Sequence, residues 1–454
     1  MSKLRRLLTR CIAALLIITL SAQPALAQSI LRDAETEALL RDMSAPLIAA
    51  AGLDPRNVDV VMIGDSSLNA FVAGGQVVYI HSGLIQAADS VDEVQGVIAH
   101  ELGHITGGHV INDSGGKAAT GITILSLLLG GLAAAAGSGD AAMGVLMAGQ
   151  QAALGKYLAF SRTQESSADA AGALYLSKAG LSGRGSISFF KKLQNLEMRH
   201  GYSRSYDSEF YSTHPMTSDR IQTLQDTYEK DPAWNRPVDP ALQARFVRVK
   251  AKLLGFVEEP ERTLQVFPVG DNSVPAHYAR AYAWHKEAFV DKALGEADAL
   301  LLISPDDPYY LELKGQILLE SGQPGAALEP LRRATRLTGN QPLIATLFGH
   351  ALVATEDPAN LAEAEQVLKA AVSRDRENPF AWYVLGVIYG QRGDIARARL
   401  ASAEQQVLQL NYMQALRSAE AAEAALPKGS PDWLRAQDIA MQSRAAIEQM
   451  KKRK

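Results

Sequence analysis

The segment His100-Glu101-Leu102-Gly103-His104 carries the strongest chemical signal in the chain. On a helix, residues four apart share a face. His100 and His104 can therefore present two imidazole nitrogens to one cation at ~2.0–2.1 Å, the length of a zinc–nitrogen bond. Glu101 stands one position round, close enough to hold a water on that cation without ligating it. Composition alone produces such a string in on the order of one chain in a hundred of this length. A catalytic zinc needs a third protein ligand and one open position. Three residues are candidates. His109 is the nearest, but the pattern H-E-x-x-H-x-x-G-x-x-H puts its third histidine where this chain has Val110, although Gly107 fits. His109 also lies past the Gly107-Gly108 stop, which reads as a surface position. His81 follows a β-rich run and could line a cleft or sit in a solvated loop. Glu165 lies in Ser161-Arg162-Thr163-Gln164-Glu165-Ser166-Ser167-Ala168-Asp169, and Asp169 shares its helical face. Glu165 as ligand and Asp169 as acceptor for the free ring N–H of a ligand histidine form a consistent pair.

Positioning these groups falls to a small set of elements. Ser90 and Glu93 form a capping-box pattern ahead of Val94, Val97, Ile98, Leu102 and Ile105, so the motif sits on an amphipathic helix. Gly107-Gly108 ends it. Upstream, residues 30–52 read as a helix with Leu31, Leu39, Leu40, Met43, Leu47 and Ile48 on one side. Val58 to Ile63 is a short strand. Asn69–Val72 and Val77–Ile80 flank Gly74-Gly75 as a hairpin. A small antiparallel sheet therefore precedes the motif helix. Downstream, residues 118–136 are apolar over a length that a membrane span needs. Three glycines interrupt them and no basic cluster flanks them, so the first reading is a buried helix and the second a membrane-contacting segment. A further helix is predicted over 142–178, broken near Gly155.

The character changes at Pro232, Pro237 and Pro240. A helical stretch over about 240–256 and a Pro-containing linker to about 275 follow. Beyond it the chain repeats. Ala281, Gly315, Gly349 and Gly386 recur at spacings of 34, 34 and 37, and Ala293, Ala327, Ala364 and Ala398 at 34, 37 and 34. Both registers absorb one insertion near Asp357-Pro358-Ala359. A 34-residue period with small residues in both helices is the tetratricopeptide signature. Four helix pairs and a terminal helical cap to about residue 450 are expected.

The 454 residues, 47% hydrophobic and 21% charged, predict two or three globular domains and exclude disorder, collagen and a polytopic membrane protein. Residues 1–27 carry a basic start, the apolar run Cys11–Leu20 and Ala25-Leu26-Ala27, which reads as a secretory signal. The net charge is -4. Loss of Lys3, Arg5, Arg6 and Arg10 would make it four units more negative. Such a chain is a poor nucleic-acid binder. The one cysteine, Cys11, lies in the same segment, so the rest holds no thiol ligand or nucleophile.

The HELGH helix, the S-R-x-x-E-x-x-A-D helix, His214-Pro215 with Arg220, Asn69-Ala70-Phe71 and Gly83-Leu84 together resemble the zinc metallopeptidases related to HtpX and the CAAX prenyl endopeptidases. The repeats narrow the resemblance to periplasmic members that act in outer-membrane β-barrel assembly. One departure is Ser167, where the family usually has an acidic residue. The resemblance implies an α+β fold: a mostly helical gluzincin-type domain with a small antiparallel sheet over 28–235, a linker with helix over 236–275, and an all-α tetratricopeptide solenoid over 276–450. It implies one Zn2+ per chain on His100, His104 and Glu165, with Glu101 as general base for the attacking water. Asp169 and Arg220 would support the ligands. His214 would either donate to the oxyanion or reach the zinc's open position and make the site latent. The strand at Asn69, Ala70 and Phe71 would pair with extended substrate through backbone hydrogen bonds. Segment 118–136 corresponds to a membrane hairpin in some relatives, which leaves peripheral membrane contact open.

The expected function is a periplasmic zinc endopeptidase that degrades misassembled outer-membrane proteins and assists barrel assembly. Its expected partners are unfolded outer-membrane proteins and, on the repeats, the barrel-assembly machinery. The alternatives are a tetratricopeptide chaperone or adaptor with a largely latent or structural zinc site, and a membrane-embedded protease using 1–27 and 118–136 as spans.

Overall fold

A computed structural model describes residues 29–109, 162–200, 214 and 217–452. The secretory segment, residues 118–136 and the break near Gly155 lie outside the described residues. The chain divides into two units. One holds Met43–Val238 with the residues up to Leu31, and the other holds Arg32–Asp42 with Asp239–Lys454.

In the first unit, strands β1 (Ser29–Leu31), β2 (Asp59–Gly64), β3 (Ala70–Ala73) and β4 (Val77–His81) form one sheet in the order β1-β2-β4-β3. The expected hairpin is present: β3 pairs antiparallel with β4, Ala70 opposite Ile80, around Gly74 and Gly75 at φ +63° and +101°. The sheet as a whole is mixed, because β2 runs parallel to β4. The chain leaves β2, crosses the end of β4 and enters β3 on the far side. Residues 65–69 make that crossing over Gly83, where a Cβ would stand 2.1 Å from Ser66 O. Gly83 N–H and Ser82 Oγ both donate to Asp65 O, at 2.9 and 2.8 Å.

Helix α1 (Ala34–Ala50) follows β1, so the predicted helix starts four residues later than its apolar pattern. Helix α2 (Ser82–Ala87) leads to α3 (Val91–Thr106), the motif helix. Ser90 is its N-cap, but the reciprocal capping box does not form. Glu93 instead accepts from Asp89 N–H at 2.9 Å, from Ser188 Oγ at 2.6 Å and from Lys192 Nζ at 2.8 Å. The tertiary partners on a neighbouring helix outcompete the local bond. A helix over 162–179 (α4), α5 (Arg184–His200) and α6 (Ser218–Tyr228) follow among the described residues of this unit. Val94, Val97, Ile98 and Leu102 on α3 are fully buried, as are Phe189, Phe190 and Leu193 on α5, and the two helices pack together.

In the second unit, α7 (Pro240–Val257) and α8 (Pro260–Val266) lie where a linker with one helix is expected. Gly255 lets α7 approach the repeat helix α9 (Val274–Lys286), since a Cβ would meet Ala279 O at 2.5 Å. Four pairs follow: α9 with α10 (Val290–Ile303), α11 (Pro308–Glu320) with α12 (Pro324–Leu337), α13 (Pro342–Ala354) with α14 (Leu361–Arg374), and α15 (Pro379–Gln391) with α16 (Ile395–Leu408). The insertion forms a 3-10 turn at Pro358–Asn360. The expected cap is itself a pair, α17 (Tyr412–Ala425) and α18 (Pro431–Lys452). Gly315 and Gly349 sit against Leu331 and Leu368 of their partner helices, which is why the first register is small. Within this unit Lys252 reaches Asp33 and Glu35, and Tyr278 OH donates to Glu35 at 2.7 Å. The start of α1 is thereby tied to α7 and α9. Among the described residues, no helix is long and apolar enough to cross a membrane.

Candidate metal centre

Helices α3 and α4 cross with their backbones nearly touching. A Cβ at Gly103 would stand 2.6 Å from Ala168 O, and one at Gly172 would stand 3.1 Å from the backbone at Ala99 and His100. Gly103 is thus both a spacer in the histidine motif and the contact that admits α4. The close crossing brings Glu165 to the two histidines. His100 Nε2 lies 3.2 Å from His104 Nε2 and 3.4 Å from Glu165 Oε2. His104 Nε2 lies 3.4 Å from Glu165 Oε1. Ligand atoms bound at ~2.0–2.1 Å on a tetrahedron are ~3.3–3.4 Å apart along its edges. Three buried groups with two nitrogens and a carboxylate at these spacings fit one zinc ion.

His214 joins the same cluster. Its Nδ1 is 3.4 Å from His100 Nε2 and 3.0 and 3.1 Å from the two Glu165 oxygens. The four ligand-type atoms all lie within 4.8 Å of one another. Its other nitrogen, Nε2, is 3.7 Å from Glu101 Oε1. Glu101 is buried, and neither of its oxygens has a hydrogen-bond partner among the described residues. Phe190 meets the His100 ring edge-on at 6.1 Å.

Asp169 and Arg220 form the support. His100 Nδ1 is 3.0 Å from Asp169 Oδ1. Arg220 grips Asp169 with two donors, at 2.7 and 2.9 Å, and reaches Glu165 Oε2 at 3.0 Å. One guanidinium thus sets the positions of both carboxylates. Thr217 caps α6 by accepting from Arg220 N–H, which fixes where that side chain starts. A cavity of about 710 Å³ between α4 and α6 is lined by Glu165, Asp169, Arg220, Ala173, Leu174 and Leu224.

The electrostatics divide the histidines. Burial works to lower the His100 pKa, but Asp169 and Glu165 outweigh it and raise it to about 10. Burial lowers His104 to about 4, with Glu165 opposing only in part. Glu165 resists burial and is held far below the carboxylate range by bonds from His100, His104 and His214. Burial raises Glu101, against the pull of His214 and His100. Glu165 and Asp169 thus stabilise positive charge at the point where the rings converge, which is the electrostatics of a cation site.

The remaining candidates fall elsewhere. His81 is buried at the end of β4, with Nδ1 2.7 Å from Ser67 Oγ, and is not one of the four clustered groups. His109 is not a ligand either, but it is not a free surface histidine: its Nδ1 lies 2.8 Å from His104 Nδ1. The only sequence sign was the helix stop that precedes it. Asn69, Ala70 and Phe71 lie at the start of β3, the outermost strand of the sheet among the described residues, and β3 packs on α3. Asn69 and Ala70 are buried, and Phe71 stacks on Tyr79 at 5.2 Å.

Residues 32–228 match Peptidase family M48. A Yersinia pestis protein named beta-barrel assembly-enhancing protease is 23% identical over 381 residues, which cover 82% of this chain and 76% of that protein. A Vibrio cholerae protein provisionally given the same name is 25% identical over 291 residues, 63% of this chain; the aligned part spans 59% of that relative's length. Metalloprotease LoiP of Escherichia coli is 31% identical over 180 residues, covering 39% of this chain and 64% of LoiP. Among solved structures, the tetratricopeptide protein YrrB aligns with 38% of this chain and 91% of its own, at 23% identity and a TM-score of 0.32. Residues 32–228 thus match the metallopeptidases of family M48, in a chain that resembles the beta-barrel assembly-enhancing proteases and whose second unit is a run of paired helices on a 34-residue period.

Proposed function

We propose that this chain is a periplasmic zinc-dependent endopeptidase that degrades misassembled outer-membrane proteins and assists barrel assembly. The peptidase domain would span 28–235, a helical linker 236–275 and the partner-binding repeats 276–450. The observation that carries the reading is the triangle of His100, His104 and Glu165 donor atoms at tetrahedral-edge spacing beside a buried Glu101 that has no hydrogen-bond partner among the described residues. His100, His104 and Glu165 would hold one zinc, which when bound acts as a Lewis acid and lowers the pKa of a water to roughly 7.

The chain's own groups do the rest. Glu101, raised by burial, takes the proton of the attacking water and returns it to the leaving amine. Asp169 receives the Nδ1–H of His100 and fixes its tautomer, and Arg220 holds Asp169 and Glu165 in place. Asn69, Ala70 and Phe71 begin an edge that extended substrate joins through backbone bonds, a recognition mode suited to unfolded chains. His214 acts as a latch. Its Nδ1, 3.4 Å from His100 Nε2 and 3.0 Å from Glu165 Oε1, would fill the position that a catalytic site keeps open and would withdraw before substrate enters. The same closed set of four supports a second reading, a chaperone or adaptor with a structural zinc.

The test is degradation of an unfolded outer-membrane barrel protein by the purified chain, beside Glu101→Gln and His214→Ala. Faster cleavage by His214→Ala, with none by Glu101→Gln, supports the latched protease. Full chaperone activity in Glu101→Gln with no cleavage by any form leaves the adaptor.

A further inference from the structure

Helix α3 ends in a Schellman closure that reaches into the metal centre. Gly108 takes a left-handed φ of +63°. Its N–H bonds Ile105 O at 3.1 Å, and His109 N–H bonds His104 O at 3.1 Å. These are the 5→2 and 6→1 bonds of that motif. The second joins the backbones of the two residues whose rings meet, with centroids 4.9 Å apart and planes at 74°. Gly107 leaves room for the returning ring, since a Cβ there would stand 2.5 Å from His109 Nε2. Thr106 Oγ1, 2.7 Å from Tyr175 OH, fixes the last turn against α4.

A neutral imidazole that offers one nitrogen to a cation carries its proton on the other. His104 turns Nε2 toward His100 and Glu165, so its proton belongs on Nδ1. The group facing that nitrogen, 2.8 Å away, is His109 Nδ1. We propose that His109 is a positioning residue of the metal centre: its Nδ1 accepts the Nδ1–H of His104 and fixes that ring's tautomer and orientation. It plays for His104 the part that Asp169 plays for His100. One ligand ring leans on a carboxylate and the other on a neutral imidazole, so His104 is the less strongly supported of the two. The helix stop, which in sequence removes His109 from the site, is what delivers it there.

The inference rests on His100, His104 and Glu165 being the zinc ligands. It is tested by zinc titration of the purified chain against a chromophoric chelator, with the absorption spectrum of the cobalt(II)-substituted chain as a second readout. His109→Ala is expected to weaken zinc binding by about 10–100-fold and to alter the cobalt bands, with circular dichroism and melting temperature unchanged. His109→Asn, whose Oδ1 can stand where Nδ1 stands, is expected to recover affinity to within about threefold of wild type. A folded His109→Ala with wild-type affinity overturns the proposal. So does a His109→Asn as weak as His109→Ala, because the ring would then be a spacer. A wild-type chain that fails to bind one zinc overturns the ligand assignment itself, which separates the two failures.

Discussion

Two buried glutamates, one in each unit, sit in opposite circumstances. Glu101 on α3 is 1% exposed and Glu404 on α16 is 2% exposed. Both Glu404 oxygens are held by Arg435, at 2.6 and 2.7 Å, with Arg376 a further 3.6 Å away. Glu101 has no hydrogen-bond partner among the described residues. Removing a carboxylate from water costs several kcal/mol unless a partner replaces the lost solvation. The repeat unit provides that partner repeatedly, as with Arg280 and Glu296 at 2.7 Å and Lys252 with Asp33. The metal centre leaves it out at one residue. Glu312 in the repeat unit also leaves one buried oxygen without a hydrogen-bond partner, so what marks Glu101 for chemistry is that both its oxygens are left so beside a cluster of metal-ligating side chains.

That contrast can be broken by experiment. Glu101→Gln keeps shape and removes the charge, so peptide hydrolysis should fall by about 10²–10⁴-fold while the melting temperature holds or rises. A marked loss of stability would make Glu101 a structural residue like Glu404. Arg435→Ala should act in the opposite sense, lowering stability by about 2–4 kcal/mol in urea without touching hydrolysis. The further change Glu404→Leu should recover part of that loss, and its failure to do so would show that the pair is not the cause.

Smaller effects sharpen the comparison. Gly103→Ala sets a Cβ against the α4 backbone, while Gly315→Ala meets only the movable side chain of Leu331. The first should cost about 1–3 kcal/mol and lower zinc content, and the second should cost less and leave zinc unchanged. Equal zinc content in both variants would remove the α3–α4 crossing from the account of the site. Glu312 gives an effect that develops only as pH rises. Burial, reinforced by Asp33 and Glu35 and opposed by Lys252, pushes its pKa up to about 8. The folded chain therefore holds a proton that the unfolded chain releases near pH ~4.3. Stability from this group is complete below that pH, falls as pH rises toward about 8 and is gone above it. Glu312→Gln should match wild type near pH ~4 and exceed it by a margin that grows as pH rises toward about 8, measured by urea unfolding. Parallel stability–pH profiles would sink this.

Much of the site was legible because its chemistry is local. His100, Glu101 and His104 follow from helical spacing, and Glu165 with Asp169 from the same period on a second helix. The repeat pairs follow from small residues recurring at 34. The role of His109 was not legible, since its ring reaches His104 through a turn whose return only coordinates reveal. The parallel β2–β4 pairing was hidden for a similar reason. Hairpin signals describe neighbours in sequence, and this pairing skips a strand. The bonds made by Glu93 replaced a capping box because Ser188 and Lys192 come from far along the chain.

The sequence by itself determined that His100 and His104 could share a metal, which helix carries them and that the second unit repeats, because each depends on periodicity along the chain. Only tertiary structure decided that Gly103 lets α3 touch α4, that Arg220 clamps Glu165 and Asp169 together, and that His214 joins His100 and Glu165. Those are distances between elements. They depend on packing summed over many residues, and no short pattern encodes them.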